Sequence, residues 1–171
     1  MTKPLLRPLD PERDGEALHA IFGDEECCRY MPDPAVARPE DTVAMLKKWN
    51  EGTEDTTWAI VDEPEGVALG RMTMIPRGDK IWEVGIMVVP SAHGRGLATG
   101  AVAQGLDVVF DKHQARRIYA DVDPDNIASR RIFEKLGFQH EGVFRAAWDT
   151  HIGVRDSDIF SLIDTDPKNW R

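Results

Sequence analysis

Cysteine is almost missing from this chain: Cys27 and Cys28 are the only two among 171 residues. As sequence neighbours they cannot close an unstrained bridge, so a disulfide-held scaffold is excluded. The scarcity fits a reducing, cytoplasmic setting. No stretch approaches the ~20 apolar residues of a membrane span. Met1 to Asp14 carries Pro, Arg and Asp where a signal peptide needs an apolar core. Positive charge is short as well, with 21 Lys and Arg against 30 Asp and Glu and a formal net charge of -9. Such a surface repels a phosphate backbone, which disfavours nucleic acid as a partner and suits cationic ligands. His19, His113, His140 and His151 form no pair at metal-ligand spacing with a third partner, so no metal is expected. No repeat, low-complexity tract or linker interrupts the chain, and residues 1–171 read as a single domain.

What the chain does have is an ordinary globular composition, 42% apolar and 30% charged. A chain of this size buries roughly 70% of its unfolded surface without help from metal or disulfide. Leu5, Leu6 and Leu9 mark a short first strand. Leu18, Ile21 and Phe22 fall at helical spacing, as do Val43, Leu46 and Trp49 in a second helix opened by Arg38 and Pro39 and stopped by Gly52. Strands are predicted over 57–61, 67–75 and 81–89, with turns at Glu63 to Gly66 and Arg77 to Asp79. An amphipathic helix follows over 97–113, then a strand over 117–122, a helix over 126–136, and strands over 138–148 and 154–163. The order predicts an α/β (α+β) fold. It is a mixed, mostly antiparallel sheet flanked by helices, with one parallel pair where strand, helix and strand follow in turn.

The sharpest local signal runs from Met87 to Gly100, a strand entering a glycine-rich loop and then a helix. Gly94 and Gly96 admit positive φ, and a helix N-terminus offers free N–H donors and a dipole to an anion such as a pyrophosphate. Arg95 adds charge. A plain turn before an ordinary helix is the alternative. The run Gly94 to Gly100 is also close to a dinucleotide-binding fingerprint, with Asp121 or Asp123 roughly where a ribose-binding acid belongs. Against that reading, the loop lies past the middle of the chain, and an antiparallel meander precedes it.

Taken with the second half of the chain, these residues resemble the GNAT superfamily of acetyl-CoA-dependent N-acetyltransferases. His93-Gly-Arg-Gly96-Leu-Ala98 matches the family's pyrophosphate loop, with His93 where Gln or Arg is usual. Asp125 to Phe138 matches its Asn-x-x-Ser segment and Glu-Lys-Leu-Gly-Phe ending. The tail, at His140 to Arg145 and Arg155 to Ile163, is similar to the subgroup that acetylates the N-terminal alanine or serine of ribosomal proteins. The resemblance implies a sheet splayed at an acetyl-CoA site. Cofactor contacts would come from Met87, Val88 and Val89 along the pantetheine, from His93, Gly94, Arg95, Gly96, Leu97, Ala98 and Thr99 around the pyrophosphate, and from Asn126 and Ser129.

The implied reaction moves an acetyl group to a primary amine by direct attack in a ternary complex. It needs a base for the amine proton and an acid for the departing thiolate. Glu83 is the candidate base, with Asp121 and Asp123 as rivals and an exposed strand carboxylate as the plain alternative. Many relatives place a Tyr acid where this chain has Phe133, which leaves Ser129 as the candidate acid. Trp148 is placed to line an acceptor channel. Acetyl-CoA is the expected co-substrate, and a peptide N-terminus or a small amine the acceptor. A monomer and a homodimer are equally open. A non-catalytic acyl-CoA-binding module is the competing class.

Overall fold

The computed structural model describes residues 4–171. A short strand, β1 (Leu5–Pro8), leads into α1 (Pro11–Phe22). Asp10 caps that helix, its side chain accepting the N–H groups of Glu12 and Arg13 at 3.0 and 3.3 Å. The helix α2 (Pro39–Asn50) also starts on a proline, where the missing N–H costs nothing. Strands β2 (Thr57–Val61), β3 (Gly70–Pro76) and β4 (Ile81–Val88) follow as an antiparallel meander. The crossover helix α3 (Leu97–Asp111) then returns the chain to β5 (Arg117–Val122), parallel to β4. After α4 (Ile127–Lys135), the hairpin β6 (Gln139–Thr150) and β7 (Gly153–Ile163) closes the fold.

All seven strands belong to one sheet in the order β1-β2-β3-β4-β5-β7-β6. Every neighbouring pair except β4–β5 is antiparallel, as the element order predicted. The third strand begins at Gly70 rather than 67, because β2 ends at Val61 and offers Val67 no rung; Val67 is 68% exposed. β6 runs two residues beyond the expected end, irregular between His140 and Gly142 and between Phe144 and Trp148.

The period-2 alternation of the strands sends their side chains to two helical layers. Met72 and Met74 of β3 face α3, packed so closely that a Cβ on Gly105 would lie 2.5 Å from the Met72 methyl. The opposite face of β3 lies under α1 and α2, where Phe22 and Trp49 meet edge to face at 5.6 Å. Leu18, Ile21, Leu46, Ile60, Leu106, Val109, Ile118 and Leu162 are wholly buried between these layers. The Glu134 to Phe138 segment forms a Schellman stop. Gly137 sits at φ +87, the Phe138 N–H reaches Phe133 C=O at 3.0 Å, and the Gly137 N–H reaches Glu134 C=O at 3.1 Å. The rings of Phe133 and Phe138 pack at 5.1 Å to complete it.

One buried ion pair fastens the first strand to the first helix. Arg7 donates to both carboxylate oxygens of Asp14 at 2.9 and 2.6 Å, and Asp14, 1% exposed, also accepts the N–H of Asp10. Asp14→Ala would leave that guanidinium buried without its counter-charge. The expected loss is roughly 3–5 kcal/mol of unfolding free energy, read by urea denaturation.

Candidate active site

The parallel pair β4–β5 is hydrogen-bonded for only three rungs: Ile81↔Arg117, Trp82↔Ile118 and Glu83↔Tyr119. Beyond Glu83 the two strands part, and the backbone groups of β4 that would face β5 have no strand partner. The Val89 N–H is spent on the Leu69 carbonyl at 2.9 Å, so Val89 is turned toward β3. By alternation Met87 is turned the same way, and Val88 and Ile86 present their backbone groups to the open wedge. Of the three residues expected to meet a ligand through their backbone, only Val88 is so oriented. Its carbonyl accepts, or is approached by, His93 Nε2 at 2.9 Å.

The wedge opens toward the loop that begins α3. Gly94 and Gly96 both sit in the left-handed region, at φ +76 and +78, a conformation that costs residues with a Cβ about 1–2 kcal/mol. Gly96 is the cap of α3 and offers no side-chain acceptor, and the first helical bond runs from the Gly100 N–H to Gly96 C=O. The N–H groups of Leu97, Ala98 and Thr99 are therefore unpaired inside the helix and point out at the loop. Three aligned donors at the positive end of a 15-residue helix form a cradle that fits a pyrophosphate. Arg95 at the loop's tip is held by Asp62 at 3.0 Å in an exposed pair.

The start of α4 lies on the β5 side. Asn126 caps it, its Oδ1 accepting the Ser129 N–H at 3.1 Å, which leaves its amide NH2 without a partner among the described residues. The Ser129 hydroxyl is half-buried and makes no hydrogen bond with a described residue. Phe133, in contrast, is 2% exposed and stacked on Phe160 in the core, so it is a packing residue, and its ring has no proton to donate.

A family model described as an acetyltransferase (GNAT) domain matches residues 4–139. The chain belongs to the GNAT acetyltransferase family. The uncharacterized N-acetyltransferase YnaD of Bacillus subtilis is 28% identical over 145 residues, covering 84% of each chain. Spermidine N(1)-acetyltransferase of Escherichia coli is 26% identical over 137 residues, 80% of this chain and 73% of that one. The structure of Mycobacterium smegmatis RimJ in complex with CoA-disulfide superposes with a TM-score of 0.76 at 25% identity, over 98% of this chain and 86% of RimJ. This GNAT protein is an N-acetyltransferase by family, by relatives and by fold.

On the face of the acetyltransferase's sheet opposite α3, Glu83 and Tyr119 sit side by side on the last rung before the wedge. The Glu83 Oε2 accepts from Tyr119 Oη at 2.8 Å and from Arg77 at 2.7 Å, and its side chain is 19% exposed. Burial, and then the bond to Glu83, push the Tyr119 phenol above its ordinary pKa. Neither Arg77 nor Tyr119 was signalled by the sequence, since only the pairing of β3, β4 and β5 brings them to Glu83. Asp123 is doubly bonded by Arg155 at 2.8 and 2.9 Å, and that bonding holds its carboxyl below the usual range. It is a correspondingly weak base. Asp121 accepts from the Ser157 hydroxyl and from Trp148 Nε1, the latter at 3.0 Å. Both of its oxygens are thus occupied, and Trp148 is fixed at the edge of the site, 43% exposed.

The turn between β6 and β7 reaches across to the connection between α1 and α2. The His151 N–H donates to Pro32 C=O at 2.9 Å, His151 Nε2 lies 3.1 Å from Cys28 C=O, and Tyr30 Oη donates to Asp125 C=O at 3.3 Å. These contacts roof the site on the α1–α2 face. Gly96→Val, a β-branched residue forced to φ +78 at the cradle, is expected to abolish CoA binding in calorimetry. His93→Ala is expected to change affinity by no more than about tenfold, the size of one lost hydrogen bond.

Proposed function

We propose that this protein transfers an acetyl group from acetyl-CoA to a primary amine, with both substrates bound together. The observation that carries the reading is the parting of β4 and β5 after Glu83, directly beside the uncapped N-terminus of α3. An extended thiol arm can add to the free edge of β4 at Ile86 and Val88 as an extra strand. Its diphosphate would lie on the N–H groups of Leu97, Ala98 and Thr99, with Gly94 and Gly96 leaving room. Asn126 would donate its free amide NH2 to the same arm. Bound there, the thioester supplies the acetyl group.

The amine enters from the α1–α2 face. An α-amino group with a pKa near 8, or a lysine-like amine above 10, arrives mostly protonated and must lose that proton before attack. Glu83 takes it, directly or through one water, from a position fixed by Arg77 and Tyr119. The amine nitrogen then forms its bond to the acetyl carbon as the carbon–sulfur bond breaks. The sulfur leaves with the bonding pair and takes the Ser129 hydroxyl proton. The second proton of the attacking nitrogen, made acidic by the new N–C bond, passes to the Ser129 oxygen directly or through water and restores the hydroxyl. The products are the N-acetylated amine and free CoA thiol. A free Val88 N–H at the wedge is placed to bond the acetyl oxygen as charge builds on it. A relative named for spermidine acetylation and the net charge of -9 both support an amine acceptor.

The kcat–pH profile separates the two proton roles. Glu83→Gln is expected to lower kcat by about 10²–10⁴-fold near neutral pH. The deficit should shrink as pH rises and the amine loses its proton unaided. Ser129→Ala should bind acetyl-CoA normally, lower kcat, and show no recovery at alkaline pH. Parent-like kcat in Glu83→Gln at neutral pH would place the base elsewhere.

A further inference from the structure

The face of β3 that lies under α1 and α2 carries a cation that no described residue neutralises. Thr73 on that face is satisfied by Thr57, hydroxyl to hydroxyl at 2.7 Å. Arg71, two residues earlier, makes no hydrogen bond and no ion pair with any described residue, and its Nε is shut off from solvent without an acceptor. Two other arginines lack an ion pair among the described residues, Arg131 and Arg145, and both are exposed on the surface. Burial without a counter-charge pulls the Arg71 guanidinium below its ordinary pKa, down to about 10, which still leaves it charged at neutral pH.

Two contacts fix where this cation sits. Its guanidinium carbon lies over the Trp49 ring, 5.5 Å from the centroid, and in the sheet Arg71 is paired with Met87, the residue before Val88 at the wedge. An indole satisfies the flat face of a guanidinium but none of its in-plane N–H donors. The Nε is enclosed, whereas the terminal nitrogens are neither enclosed nor bonded. Their edge is therefore the part offered to a ligand, and a carboxylate is the group whose two oxygens match it. The chain carries a net charge of -9, so a half-buried guanidinium without an ion-pair partner among the described residues is suited to select one anionic group and not to serve general attraction.

We propose that Arg71 is a carboxylate anchor in the acceptor site, so that the amine acetylated by this enzyme also carries a carboxylate. The anchor grips that carboxylate under α2 while the amino group reaches the wedge beside Val88. This assignment rests on the acetyl-transfer reading and narrows its acceptor to amino-acid-like molecules.

The test uses acetyl-CoA with a panel of L-amino acids, each matched to its own carboxamide, and with spermidine. The amides lose their ammonium proton more easily, so intrinsic reactivity runs against the expected result. The unaltered protein should favour an amino acid over its amide by about 10–100-fold in kcat/KM, expressed in KM, as expected for a charge-assisted pair. Arg71→Met should erase that preference by raising KM for the acid more than for the amide, and Arg71→Lys should restore part of it. CoA affinity by calorimetry checks that each variant is folded. Equal use of acids and amides, better use of spermidine, or an equal loss for all acceptors in Arg71→Met overturns the anchor and leaves acetyl transfer standing. An Arg71 effect seen only when succinyl-CoA replaces acetyl-CoA assigns the carboxylate to the acyl chain and also overturns it. If no amine is turned over, acetyl transfer falls. Thermal shift of the CoA-bound protein by the same amino acids then decides the anchor, which fails unless the parent is stabilised and Arg71→Met is not.

Discussion

Two parallel strands that are bonded for three residues and then separate set the terms for everything else in this molecule. A sheet interior normally pairs every backbone N–H and C=O, because an unpaired buried group is costly. Here β4 carries a row of unpaired groups into the middle of the fold, and the remaining architecture holds that gap open. The buried apolar face of α3 braces β3 and β4 from one side. α4 is locked onto β7 through the rings of Phe133 and Phe160. Neither side can slide to close the wedge without breaking its own core, so the unpaired edge of β4 persists.

Electrostatics divide along the same line. The helix end of α3, with its uncapped donors, faces the loop and suits an anion, and on the other face Glu83 of β4 and Asp121 and Asp123 at the end of β5 supply the acidic groups. Their roles differ because their partners differ. Asp123 is tied to Arg155 and Asp121 to Trp148 and Ser157, so both build the wall of the site. Glu83 shares one oxygen with Arg77 and Tyr119 and is fixed by them on the last rung. Arg71 is the inverse case, a cation with a ring on its face and no described residue bonded at its edge. A carboxylate surrounded by donors and a guanidinium without acceptors among the described residues, on the same face of one sheet, would give the proposed acceptor side its polarity.

The sequence by itself determined most of the framework. The β-branched and aromatic run over 57–61, the alternation over 117–122, the helical spacing at Leu18, Ile21 and Phe22, and the switch from meander to strand-helix-strand are local patterns of residue type and of period 2 or 3.6 carried directly by the chain. The same holds for the glycine loop and for the Leu136-Gly137-Phe138 stop, where backbone conformation depends on residue type at single positions. Element ends such as the late start of β3 were not legible, because they depend on how far the neighbouring strand runs.

What only the tertiary structure decided is which of these residues meet. Tyr119 lies far from Glu83 along the chain and Arg77 just across the β3–β4 turn from it, and strand register makes the three one cluster. Val88 and Val89 look alike in sequence, yet the Leu69 carbonyl takes the N–H of one and leaves the other facing the wedge. Phe133 occupies the place where relatives put an acid, and its burial against Phe138 and Phe160 shows it as core. Arg71 gave no signal at all, since an arginine in a strand usually finds a carboxylate or water. Its missing partner is a property of the fold alone, for solvation and pairing are fixed only when distant segments enclose a side chain.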